Sequence, residues 1–183
     1  MSRNFYYVSR ILSENNTPDF NLPKRSTKHS AGYDFECIED ITIPPFTPGT
    51  KPTMVPTGIK CQMLEDEFLM LVSRSSNPKK KNLIIPQSLG IIDADYFENR
   101  DNEGEIFFAF LNIGNEPVTI EKGYKMGQGI FVKYGITEND NAEGIRNGGF
   151  GSTNTIEEPK KIMIKENVKM NLTLEEFNKQ FSK

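Results

Sequence analysis

Histidine, cysteine and long apolar runs are all scarce in this chain of 183 residues, and each scarcity narrows what the chain can do. His29 is the only histidine. Cys37 and Cys61 are the only cysteines and stand far apart in sequence, which argues against a structural zinc site. Two thiols fit a reducing, cytoplasmic compartment, although sequence alone leaves a Cys37–Cys61 disulfide open. No apolar run reaches the ~18 residues of a membrane span, and no secretory leader pattern is expected. Charge of one sign is also lacking: the formal net charge is -3 and the pI about 5.4. Such a chain has no general attraction to nucleic acid polymers, so any phosphate it binds must be held by a local site.

What the chain has is turn-punctuated β-type sequence, with 14 glycines and 11 prolines. Residues 5–12 read as an opening strand and residues 13–30 as loop. Short runs of strand type follow at 33–37, 40–43, 50–56, 58–62, 67–73, 83–86, 90–92, 105–112, 118–120 and 129–134. No long amphipathic helix interrupts them, and the lysine-rich 78–81 reads as a solvated loop. The pattern predicts an all-β fold, a sandwich, jelly roll or barrel. Composition divides the chain into a β domain (1–136), a polar and then glycine-rich arm (137–154) and an extension rich in lysine and glutamate (155–183). The extension should be helical over 173–182. Thr173 and Glu176 form a capping box there, and Leu174, Phe177 and Phe181 share one face. That face implies a docking surface on this chain or on a partner protein.

The most telling stretch is Ser88-Leu89-Gly90-Ile91-Ile92-Asp93-Ala94-Asp95-Tyr96. A carboxylate just after a short buried strand sits at a rim, half desolvated, where it can orient a water. A tyrosine three residues on offers a flat face to a sugar or base. Alone, the stretch reads more readily as an acidic turn closing a hairpin, since Asp is a common turn former. Four other segments change the balance: Ser30-Ala31-Gly32-Tyr33-Asp34-Phe35, Ser73-Arg74-Ser75-Ser76, Gly123-Tyr124-Lys125-Met126-Gly127-Gln128, and Arg146-Asn147-Gly148-Gly149-Phe150-Gly151-Ser152-Thr153.

In chain order, with segment one at 30–35, two at 73–76, three at 88–96, four at 123–128 and five at 146–153, these stretches resemble the motifs of the trimeric dUTP pyrophosphatases (dUTPases). The resemblance implies a jelly-roll or distorted-barrel fold and hydrolysis of dUTP to dUMP and pyrophosphate with Mg2+. It implies that Asp93 is the base that activates water. Asp34 would be an outer-shell metal group, acting through water, because magnesium retains much of its hydration. Arg74, Ser75 and Ser76 would serve the phosphate bend, with Arg74 supporting the site. Gln87, Gly90 and Ile91 would line the hairpin that reads uracil, Gln87 standing where many relatives have asparagine. Tyr96 would pack under the deoxyribose and exclude a 2′-hydroxyl. Gln128 would hold the α phosphate or fix backbone. Segment four departs from the family: Tyr124 replaces an acid and Lys125 an arginine, so that corner must be built differently. The run 97–104 replaces a tighter turn with a longer polar loop. From the arm, Phe150 would stack on the base, Arg146 would meet the γ phosphate, and Gly151 and Ser152 would bind phosphate oxygens.

The resemblance further implies a homotrimer in which three chains share each site. Two other readings stand beside it. A dCTP deaminase, alone or bifunctional, shares the fold but needs a glutamate where this chain has Ala109. A regulatory binding protein of the same fold would use the 155–183 extension.

Overall fold

Alternation of apolar and polar residues lays down the strands of this protein, seen here in a computed structural model. It describes residues 2–12, 18–144, 146, 148 and 149. Phe150, Gly151, Ser152, the expected helix at 173–182 and its apolar face all lie outside these residues.

The strands, in chain order, are β1 (Asn4–Tyr7), β2 (Lys24–Arg25), β3 (Tyr33–Glu36), β4 (Ile41–Ile43), β5 (Thr53–Pro56), β6 (Ile59–Gln62), β7 (Glu67–Ser73), β8 (Leu83–Ile84), β9 (Gly90–Asp93), β10 (Phe107–Asn112), β11 (Val118–Ile120) and β12 (Lys125–Lys133). One short helix, α1 (Ser76–Lys81), lies between β7 and β8. The largest sheet has the order β2-β3-β12-β7-β9; β5-β10-β8 form a second, and β1-β6 and β4-β11 are paired ribbons. Every one of these pairings is antiparallel. This is the all-β architecture that the turn-rich sequence predicts.

β7 shows why the sheet forms. Its residues alternate between the two faces, so Leu69 and Leu71 are buried while their neighbours are less so. They join Phe35, Phe108, Phe110, Ile43 and Met126 in one core. Phe35 and Phe108 pack with ring centroids 5.7 Å apart, and Phe108 stacks on Phe110 at 6.2 Å. Burial of each phenylalanine stabilises the fold by about 2 kcal/mol. A Cβ on Gly127 would come 2.1 Å from Phe108 Cε1, so only glycine lets β12 cross this ring. Both cysteines are free and buried, which rules out a disulfide between them. Burial pushes the Cys61 thiol up to about 12.

Several sequence-based boundaries shift. The opening strand stops at Tyr7 and a 3-10 turn, Ser9–Ile11, follows, closed by Ile11 N–H donating to Val8 O (3.0 Å) and Leu12 N–H to Ser9 O (3.1 Å). The 13–30 loop contains the short β2. Residues 78–81 belong to α1 rather than to a loop; Pro78 is tolerated in its first turn and Asn82 closes it in the left-handed conformation (φ 53°). β12 begins at Lys125, earlier than the expected 129, since pairing on both sides overrides the poor strand propensity of Gly127 and Gly129.

Candidate active site

The largest sheet places two carboxylates in contrasting surroundings. Asp34 on β3 faces Gln128 on β12 and Lys24 on β2. Its side chain is buried and accepts hydrogen bonds from Ser26 Oγ (2.6 Å), Gln128 Nε2 (2.8 Å) and Lys125 Nζ (3.1 Å). Burial pushes its pKa up, but the bonds from Ser26, Gln128 and Lys125, with the lysine charge, outweigh it and leave the group below its usual range.

The departures in segment four now have a structural account. Tyr124 Oη donates to Asn77 Oδ1 (2.8 Å), and the Lys81 ammonium stands 5.0 Å from the centre of the Tyr124 ring. Lys125 pairs with Asp34 across the strand. Asn77, fully buried in α1, donates to Met126 O (2.6 Å) and Ser73 Oγ (3.0 Å). It thereby joins segment two to segment four. Arg74 Nη1 donates to Lys125 O (3.2 Å), so this arginine supports backbone. Ser75 occupies the N-cap position of α1 and is exposed; Ser76 opens the helix and is half-buried.

Asp93 is different. It ends β9, and the 3-10 turn Ala94–Tyr96 follows. Its side chain is 49% exposed and lines a cleft of about 700 Å³ with Asp95, Glu65, Phe97, Tyr134 and Arg146. This is the half-desolvated rim carboxylate that the sequence predicts. Arg146 pairs with Asp93 through Nη2 and donates from Nε to Asp95 Oδ1 (2.7 Å). The sequence reading gave Arg146 to a γ phosphate; here its fork engages two carboxylates of the same chain.

The Tyr96 ring is buried rather than laid open at the rim. Its hydroxyl donates to Glu105 O (3.0 Å) and accepts from Asn102 Nδ2 (2.8 Å). Burial pushes its pKa up. The Arg146 guanidinium lies 5.9 Å from the ring centre, and a Cβ on Gly149 would stand 2.8 Å from Tyr96 Cε2. The arm therefore covers this ring.

Between β8 and β9 the chain turns through Ser88 at φ 69°, and Ser88 N–H donates to Ile85 O (3.0 Å). β8 pairs with β10 and β9 with β7, so the expected hairpin is a connection between two sheets; its Gln87, with Gly90 and Ile91 of β9, lines a hollow of about 200 Å³ with Met54, Leu71, Phe108 and Ala109. The walls are mostly apolar, and the Gln87 amide is an adaptable polar group at the edge.

Register separates the parts. Gln128 lies opposite Val72 on β7, whereas Asp93 lies opposite Phe68 on the other edge of that strand. Four residues along the strand and two strand spacings put them about 16 Å apart. Within one chain Asp93 is therefore not brought together with Gln128, nor with Asp34 on the strand beyond it. Among the described residues no three His, Cys, Asp or Glu side chains cluster as a metal cage. Asp34, with about four acceptor positions of which three are used, has room for one more donor such as a metal-bound water. The residues fit an outer-shell contact to magnesium and not a direct protein cage.

Sequence reasoning missed Ser26, Asn77, Asn99 and Asn102. All are small polar side chains in turns or caps, and only their proximity to a motif could have flagged them.

The sequence profile of the dUTPase family matches residues 18–155. The chain is 43% identical over 145 residues to the deoxyuridine 5′-triphosphate nucleotidohydrolase of Lactococcus lactis, spanning 78% of this chain and 94% of that protein. It is 33% identical over 142 residues to the corresponding protein of Rickettsia prowazekii, spanning 73% of this chain and 88% of that one. The crystal structure of dUTPase from Streptococcus mutans superposes with a TM-score of 0.66 at 38% identity, covering 74% of this chain and 98% of that one. A D95N variant of the dUTPase of Staphylococcus aureus phage phi11, described with a structural Mg(II) ion, shares the fold at a TM-score of 0.56 and 22% identity, over 79% of this chain and 98% of that one. From the five ordered segments, the strand order and these matches, the chain belongs to the dUTPase family of hydrolases.

Proposed function

We propose that this protein hydrolyses dUTP to dUMP and pyrophosphate in the cytoplasm, using Asp93 to activate the attacking water at a site assembled from a homotrimer. One observation carries the reading: a half-exposed carboxylate ends the very strand that lines a base-sized apolar hollow.

Asp93 orients a water and accepts its proton as oxygen attacks the α phosphorus, in line with the departing pyrophosphate. Base catalysis of this kind contributes ~10²–10⁴-fold, and positioning and electrostatics supply most of the rest. Gln87, Gly90 and Ile91 receive uracil, and Tyr96 sits beneath the deoxyribose. Arg74 holds the backbone that presents Ser75, Ser76 and Gln128 toward the phosphates. Asp34, already bonded to Gln128, fixes that amide in place. Asp34 would help hold magnesium through a water, and the metal, when bound, would supply charge neutralisation at the phosphates.

The separation of about 16 Å within one chain supports a shared site, since a base must lie within ~3 Å of the proton it takes. A three-fold arrangement places segment three of one subunit against segments one, two and four of another. The arm then exchanges carboxylate for phosphate: Arg146 leaves Asp93 for the γ phosphate as Phe150, Gly151 and Ser152 close over nucleotide. Deamination is disfavoured, because Ala109 and the other walls of the hollow carry no acid.

The test is pyrophosphate release from dUTP, dCTP, dTTP and UTP, with and without magnesium. Turnover of dUTP alone, dependent on the metal and lost on dilution to monomer, is expected. Ammonia release from dCTP, or a fully active monomer, would overturn the reading.

A further inference from the structure

Loop 97–104 is longer and more polar than a simple turn, and it encloses the hydroxyl end of Tyr96. Asn102 Nδ2 donates to Tyr96 Oη (2.8 Å) and to Glu105 O (3.3 Å), while Tyr96 Oη donates to Glu105 O (3.0 Å). A closed three-membered hydrogen-bond ring results. Asn102 is itself held: its Oδ1 accepts from Asn99 Nδ2 (2.8 Å) and from Gly104 N–H (3.1 Å). Asn99 Nδ2 also donates to Tyr96 O (2.9 Å), and its Oδ1 accepts from the amides of Asp101 (3.0 Å) and Asn102 (3.2 Å). The loop closes through Gly104 at φ 82°, where a Cβ would strike Tyr96 O at 2.5 Å. Its stem is tied to the body by Lys60, which pairs with Glu98 (2.6 Å) and Glu103 (3.0 Å), and by Ser9 Oγ on Glu103 (2.7 Å).

Two asparagines thus hold Tyr96 at both its hydroxyl and its carbonyl. An aromatic ring rotates about two torsions, and a bond to its far end removes most of that freedom. Rejection of a substrate by steric exclusion depends on the excluding surface being unable to give way.

We infer that Asn102 is a positioning residue for substrate selection: by fixing the Tyr96 hydroxyl it keeps the ring from yielding to a 2′-hydroxyl, and so sharpens preference for deoxyribonucleotide over ribonucleotide. The inference rests on the dUTPase reading and on Tyr96 lying beneath the sugar.

The experiment measures kcat/KM for dUTP and UTP, with melting temperature, for the intact protein, Asn102→Ala, Tyr96→Phe and the double variant. Asn102→Ala is expected to lower the dUTP/UTP ratio about tenfold, the upper range for one hydrogen bond. The change should appear mainly as a gain for UTP. Tyr96→Phe removes the same anchor from the other side and should lower the ratio similarly. In the double variant the two losses should add only in part, because both break the bond shared by Asn102 and Tyr96. A ratio unchanged in both single variants, even with a lower melting temperature, would overturn the inference and leave the dUTPase reading standing. Failure of the intact protein to hydrolyse dUTP would overturn both.

Discussion

Asp34 and Asp93 sit in the same sheet, yet one is buried with three donors in place and the other is half exposed. Asp34 has its donors built in: a serine, an amide and an ammonium, all from this chain. Asp93 stands at the end of its strand, half exposed, and its bond to Arg146 comes from the arm. A satisfied carboxylate holds structure together, whereas one at a rim is free to exchange partners and do chemistry. The family motifs assign different roles to the two residues, and the contrast in their surroundings gives that difference a physical basis.

The sharpest way to break this contrast is a crossed pair of amide substitutions. Asp93→Asn should lower kcat for dUTP by ~10²-fold or more, the contribution of a general base, and leave the melting temperature nearly unchanged. A variant with full kcat would end the assignment of Asp93 as base. Asp34→Asn should do the reverse in stability. It removes the charge facing Lys125 and turns an acceptor into a donor facing Ser26 and Gln128. The cost should be about 2 kcal/mol, a fall of about 5 °C in the thermal transition. An unshifted transition would show that Asp34 is as open as Asp93.

Gly127→Ala probes the core beneath Asp34 and not its bonds. The added methyl meets Phe108, and overpacking of this kind costs about 2 kcal/mol in denaturant unfolding. An unaltered midpoint would mean that β12 can lift from the ring at no cost.

The smallest expected effect lies in the pH dependence. The Ser9 hydroxyl, the Lys60 ammonium and the Ser9 amide together hold Glu103 at about 2, against its ordinary 4.5. A carboxyl lowered by folding stabilises the protein fully above its ordinary pKa and loses that contribution as pH falls toward its folded value. The melting temperature should therefore decline between pH 5 and pH 2 more steeply in the intact protein than in Glu103→Gln. Parallel profiles would remove Glu103 from the acid response.

Much of this was legible in the sequence. Alternation marked β7, punctuation marked the β-rich order, and a carboxylate after an apolar pair marked the rim at Asp93. Other features were not legible, for identifiable physical reasons. β12 was read short because its glycines look like turns until Phe108 is seen beneath one of them. α1 was hidden by its proline, which a first turn accepts. Asn77 and Asn102 gave no signal because a short amide is equally at home in any loop; only the folded chain shows which backbone groups each one meets. Tyr96 was singled out as an aromatic face, but its burial depends on Asn102 and Glu105, six and nine residues further along.

The two thiols sealed in the core have a practical consequence. Burial raises both Cys37 and Cys61, the latter to about 12, so neither offers thiolate to an alkylating reagent at neutral pH. A cysteine introduced at exposed Ser75 would then be the single handle on the native chain that maleimide dyes modify quickly. Fluorescence from that label could report nucleotide arrival without first stripping the natural cysteines from the protein.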